Sequence, residues 1–85
     1  MNDMRESDWK LLSQLKPRLL ERLCERILKD VTTVAADTSK TQHERYGTVF
    51  GIIEKQDKVI ARLFNDLRRS NGCSRLEQMR EAGLI

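Results

Sequence analysis

Leu11–Ala36, LLSQLKPRLLERLCERILKDVTTVAA, and His43–Ser70, HERYGTVFGIIEKQDKVIARLFNDLRRS, are separated only by the polar hexapeptide Asp37–Gln42, DTSKTQ. Both long stretches repeat their apolar residues three and four apart, the spacing of a helix with one buried stripe. A polar interval this short turns the second helix back along the first. The pattern therefore predicts an all-α chain built on a long antiparallel helical hairpin, with short flanking helices closing a small bundle.

Within the first stretch, Leu19, Leu20, Leu23, Cys24, Ile27, Leu28, Val31, Val34 and Ala35 fall on one face. At about 100° per residue they span roughly 180°, more than one antiparallel neighbour covers. Contact with two further helices is expected. Arg18, Glu21, Arg22, Glu25, Arg26 and Lys29 carry the opposite side, the arginines forming an i,i+4 ladder countered by the two glutamates. Asp30 is the polar residue inside the apolar arc and is expected at its edge or paired with a base. Pro17 lacks an N–H and clashes with the preceding turn. The expected arrangement is a short first helix capped by Ser7, a break near Lys16, and a main helix over Pro17–Ala36.

Thr41 followed by Glu44 is a capping-box pattern, so the second helix should begin near Gln42. Its apolar face is Tyr46, Val49, Phe50, Ile52, Ile53, Val59, Ile60, Leu63, Phe64 and Leu67. Arg68 and Arg69 suit the negative end of a helix dipole, and Asn71-Gly72 reads as a left-handed stop. Ser74 with Glu77 repeats the capping-box pattern and predicts a third helix carrying Leu76 and Met79, closed by Gly83. Leu84 and Ile85 then either fold back on the bundle or mark a piece of a longer protein.

The 85 residues bound the chain to one small domain over 7–85 behind a flexible polar segment, 1–6. A chain of this size buries only about 60% of its unfolded surface and commonly gains stability from a disulfide, a metal or a partner. With two cysteines but no CxxC pair, and an N-terminus without an apolar run, the expected compartment is the reducing cytoplasm. Apolar runs of two or three residues are far short of the roughly twenty that cross a membrane. Sixteen Lys+Arg against thirteen Asp+Glu leave a net charge of +3, with the signs interleaved as on solvated helix faces.

The chemistry-bearing residues are sparse. His43 is the single histidine, and it falls in a helix first turn where a cation is disfavoured, so it reads as a surface residue. Cys24 reads as a small buried hydrophobe and Cys73 as a loop residue near arginines. Gly47 and Gly51 form a GxxxG on the polar side of the second helix, where two glycines either mark a close approach or are merely tolerated. Gln56 interrupts the middle of the apolar face and Asp57 its margin, beside Tyr46, Phe50 and Phe64. A buried amide needs partners and in helical dimers often fixes register.

Nothing in this set assembles a catalytic constellation, a cofactor site or a metal site, so an enzyme is not expected. The expected function is a protein-interaction module that binds itself or another chain. Its candidate surface is Leu19, Leu28, Tyr46, Phe50, Gln56, Asp57 and Phe64. The alternative is a small basic regulator gripping nucleic acid through the Arg62–Arg80 region, with Arg62, Arg68, Arg69 and Arg75 as its anion-binding residues. No membrane or small-molecule partner is implied.

Overall fold

The computed structural model of the protein describes residues 4–85. Three helices follow in order: α1 over Glu6–Ala35, α2 over Gln42–Phe64 and α3 over Gly72–Glu81. α1 and α2 form the antiparallel hairpin and α3 packs on the end of α2, giving a rod of 52 × 17 × 17 Å. Among the described residues there is no strand. None of the helices is long and apolar enough to cross a membrane.

The core occupies one end of the rod. Leu19, Leu23 and Ile27 of α1 meet Leu63 and Phe64 of α2, Met79 of α3 and Leu84 beyond it. Leu63, Met79 and Leu84 are wholly withdrawn from water. The wide stripe on α1 thus meets α2 and the returning C-terminal segment, but only along part of its length. From Leu28 to Arg62 no residue is buried. That half of the hairpin is an arm two helices thick.

Pro17 does not break α1, which runs through it for 30 residues. The reason is where the fault lies. The proline deprives the Ser13 carbonyl of its donor, and both residues are exposed, so water takes the place of the missing hydrogen bond. The helix begins at Glu6 behind Arg5, not at Ser7, and no side chain caps it. Acidic Glu6 and Asp8 occupy its first turn, as the dipole favours.

Thr41 and Glu44 make the expected capping box. The Thr41 hydroxyl accepts from the Glu44 N–H at 3.0 Å, and the Thr41 N–H donates to Glu44 Oε1 at 3.0 Å. The far end of α2 differs from expectation. The helix stops at Phe64 instead of continuing to Ser70, because Asn65 is extended (ψ 139°) and Asp66 takes a left-handed conformation at φ 61°. Aspartate is one of the few side-chain-bearing residues that accept this region. Asn71 then stitches the loop, its Oδ1 accepting from the Arg68 N–H at 2.8 Å and its Nδ2 donating to the Asp66 carbonyl at 2.9 Å.

The stop therefore falls at Asp66, and Gly72 is the first residue of α3. This moves Cys73 from a loop into the helix and leaves Ser74 inside it, so no capping box forms there. Gly72 serves another purpose. A Cβ here would overlap the Met4 thioether and reach within 3.6 Å of Leu12 Cδ2. Residues 1–3 of the segment expected to be flexible lie outside the described residues. Met4 is buried: its N–H donates to the Arg69 carbonyl at 3.2 Å, and its carbonyl accepts from Arg69 Nη2 at 2.9 Å.

α3 closes as the sequence suggests, with Gly83 left-handed at φ 76°. The Leu84 N–H reaches the Met79 carbonyl at 3.0 Å and the Gly83 N–H the Arg80 carbonyl at 2.9 Å, a Schellman ending that turns Leu84 into the core. Ile85 stays exposed.

Replacing Pro17 by Ala supplies the missing donor without disturbing any packed group. It is expected to stabilise the protein by about 1–3 kcal/mol in urea unfolding. An unchanged or lower midpoint would show that the proline is structurally required. Gly72→Ala and Met4→Ala each should cost about 1–2 kcal/mol. Because the methyl added at position 72 overlaps the Met4 side chain that the other change removes, the double variant should lose clearly less than their sum.

Candidate interaction surface

The sequence placed Leu19 and Phe64 on the candidate surface, and the structure corrects this. Leu19 is 5% and Phe64 3% exposed, both inside the core where α1, α2 and α3 meet. They lie on the face that α3 and Leu84 cover, and helical periodicity does not distinguish a covered stretch of a stripe from an uncovered one. The other members lie on the arm. Leu28 is 60% exposed, Tyr46 69% and Phe50 57%, and Ile53, an apolar-face residue outside the expected surface, is 44% exposed.

These side chains share one side of the hairpin. On α2, Tyr46, Phe50, Ile53 and Asp57 follow at four-, three- and four-residue intervals and form a single row. Leu28 of α1 faces the same row across a groove of 210 Å³, whose walls are Cys24 and Leu28 on one side and Ile53, Gln56, Asp57 and Ile60 on the other. Gln56 is half-buried in the wall and Asp57 is exposed on the rim. Nearer the tip, Tyr46 and Val49 flank a second recess with Ala35, Gln42 and Arg45. The arm thus carries large aromatic knobs near its tip and an apolar furrow nearer the core. Cys24, expected as a buried hydrophobe, is half-buried in that furrow, and Cys73 is exposed.

The tip is held by its own polar chemistry. Arg45 Nη1 donates to the Ala35 carbonyl at 2.6 Å, closing the end of α1 from α2. The Ser39 hydroxyl, at 2.6 Å, and then the Ser39 N–H, at 3.0 Å, hold the Asp37 carboxylate below its usual pKa. The Thr41 N–H, followed by the Thr41 hydroxyl, lowers that of Glu44. His43 is exposed. Gly47 and Gly51 are exposed too, with open space where each Cβ would be, so nothing within this chain approaches them closely. Asp30 is exposed.

The arginines expected to bind anions are dispersed among structural tasks. Arg68 Nη2 pairs with the Asp66 carboxylate at 3.0 Å, Arg69 donates to the Met4 carbonyl, and Arg75 Nη1 donates to the Asn65 carbonyl at 2.7 Å. Arg62 is exposed on α2. The ladder on α1 likewise has a role that its spacing alone does not disclose. Arg22 Nη1 donates to the Leu84 carbonyl at 2.7 Å, while Arg26 donates to the Ala82 carbonyl at 3.0 Å and to that of Gly83. Orphan carbonyls at the end of any helix need donors. That need was visible in the sequence; which donors meet it was not.

Among the described residues no group of three or more His, Cys, Asp or Glu is placed to hold a metal ion. In comparisons with known proteins, no family model, no curated protein and no solved structure matches this chain.

The lowered pKa values set a pH dependence for the tip. A carboxyl group whose folded-state pKa lies below its unfolded value contributes stability at neutral pH. That contribution is lost as the pH falls through the folded-state pKa. Melting of wild type and of Asp37→Asn/Glu44→Gln should therefore differ most at pH 7 and converge on acidification. A difference that stays constant with pH would show that these hydrogen bonds carry no linked stability.

Proposed function

We propose that this chain is a non-enzymatic protein-interaction module of the cytoplasm that works by self-association through the exposed apolar face of its arm. One observation carries the reading: Leu28, Tyr46, Phe50 and Ile53 stand exposed together on one face of a two-helix arm over which α3 does not reach. Soluble chains rarely leave contiguous apolar surface of this kind without a partner. Two such arms face to face make a four-helix arrangement in which each hairpin supplies the missing layer of the other. The alternative, a basic regulator of nucleic acid, has weaker support, since Arg68, Arg69 and Arg75 are already engaged within the fold.

Sedimentation equilibrium over a wide concentration range tests the reading. The expected mass doubles well below millimolar concentration, and the melting temperature rises with concentration because folding and association are linked. Phe50→Glu, on the exposed face, should leave a helical monomer whose melting no longer depends on concentration. Phe64→Glu, in the core, should unfold the chain instead. A wild type that stays monomeric and melts independently of concentration would overturn self-association.

A further inference from the structure

Resting on that reading, we propose that the occupant of the arm's furrow is Tyr46 of a second copy, docked antiparallel so that its hydroxyl donates a hydrogen bond to the partner's Asp57. The face is self-complementary along its length. Its knobs, Tyr46 and Phe50, stand toward the tip, and its furrow, between Leu28 and Ile53, lies toward the core. A two-fold axis perpendicular to the arm and passing between Phe50 and Ile53 brings each knob over the other copy's furrow. An axis parallel to the arm would set furrow against furrow and Tyr46 against Tyr46.

Charge selects the same orientation. Asp57 stands exposed on the furrow's rim and is in no ion pair among the described residues. The charges around it are of mixed sign, Glu54 and Lys58 on α2 with Glu25 and Lys29 on α1, and the tip is mixed too, Lys40 and Arg45 standing with Asp37 and Glu44. Parallel docking opposes Asp57 to Asp57, which antiparallel docking avoids by setting each Asp57 against the partner copy's Tyr46 hydroxyl. The exposed parts of Leu28, Tyr46, Phe50 and Ile53 come to roughly 500 Å² per copy, near the upper end for a monomer. Fully buried on both copies they bring together roughly 1,000 Å², the lower bound for a specific interface.

Directional cross-linking tests the geometry in a Cys24→Ala/Cys73→Ser background that retains the native mass and helicity. Tyr46 and Asp57 are separated by about 16 Å along α2 at 1.5 Å per residue, far outside the roughly 7 Å reach of a disulfide. Oxidising a mixture of Tyr46→Cys and Asp57→Cys proteins should therefore yield a covalent dimer, while each alone should not. Self-cross-linking of each variant alone, with no gain on mixing, would establish parallel docking and overturn the proposal.

Dimer dissociation constants of Tyr46→Phe, Asp57→Asn and their combination provide a second readout that keeps both side chains nearly intact. Each single change should weaken association about tenfold, and the double no further. Losses that multiply, in a wild type that is dimeric, would overturn the Tyr46–Asp57 contact and leave self-association standing. A monomeric wild type would overturn both.

Discussion

Leu63, Met79 and Leu84 come together where the end of α2, the body of α3 and the returning C-terminal residues converge on α1, and this junction gives the hairpin a third layer. Two amphipathic helices alone cover a narrow seam of each other, because each stripe is wider than one neighbour can reach. Here α3 and Leu84 complete the cover for Leu19, Leu23 and Ile27. The arrangement depends on the chain reversing twice in a short distance. The left-handed Asp66 ends α2, and the left-handed Gly83 turns Leu84 inward.

Main-chain carbonyls at those reversals, and that of Met4 ahead of α1, are met by arginine. Arg75 reaches Asn65, Arg69 reaches Met4, and Arg22 and Arg26 reach the last carbonyls of the C-terminal segment. Guanidinium suits this work because it offers several donors from one long stem and remains charged at any relevant pH. The modest excess of basic residues is thereby largely structural. A positive charge at the negative end of α3 also complements its dipole.

The same economy leaves the arm thin. Beyond Ile27 the hairpin has a seam of half-buried Val31, Ile52, Gln56, Val59 and Ile60 and no second layer, so its outer apolar row faces water. Arg45 and the Thr41–Glu44 capping box keep the tip closed without help from a core. An arm held by local hydrogen bonds and a narrow seam presents this face to water without burying it.

Helical periodicity, the Thr41–Glu44 box and the polar interval before Gln42 are local properties, and from them the sequence by itself determined the all-α class, the hairpin, the start of α2 and the left-handed Gly83. Whether Pro17 breaks a helix depends on whether the orphaned Ser13 carbonyl faces water, and the end of α2 depends on whether Leu67 and Leu84 gain more by turning into the core than by continuing a helix. Those are decisions of tertiary packing. The candidate surface divides in the same way: Tyr46, Phe50 and Phe64 lie on one apolar stripe of α2, and only the arrival of α3 and Leu84 buries Phe64 while leaving the other two exposed. A stripe states which side chains avoid water; the length of chain available to cover it, fixed in space by the reversals at Asp66 and Gly83, states which of them succeed.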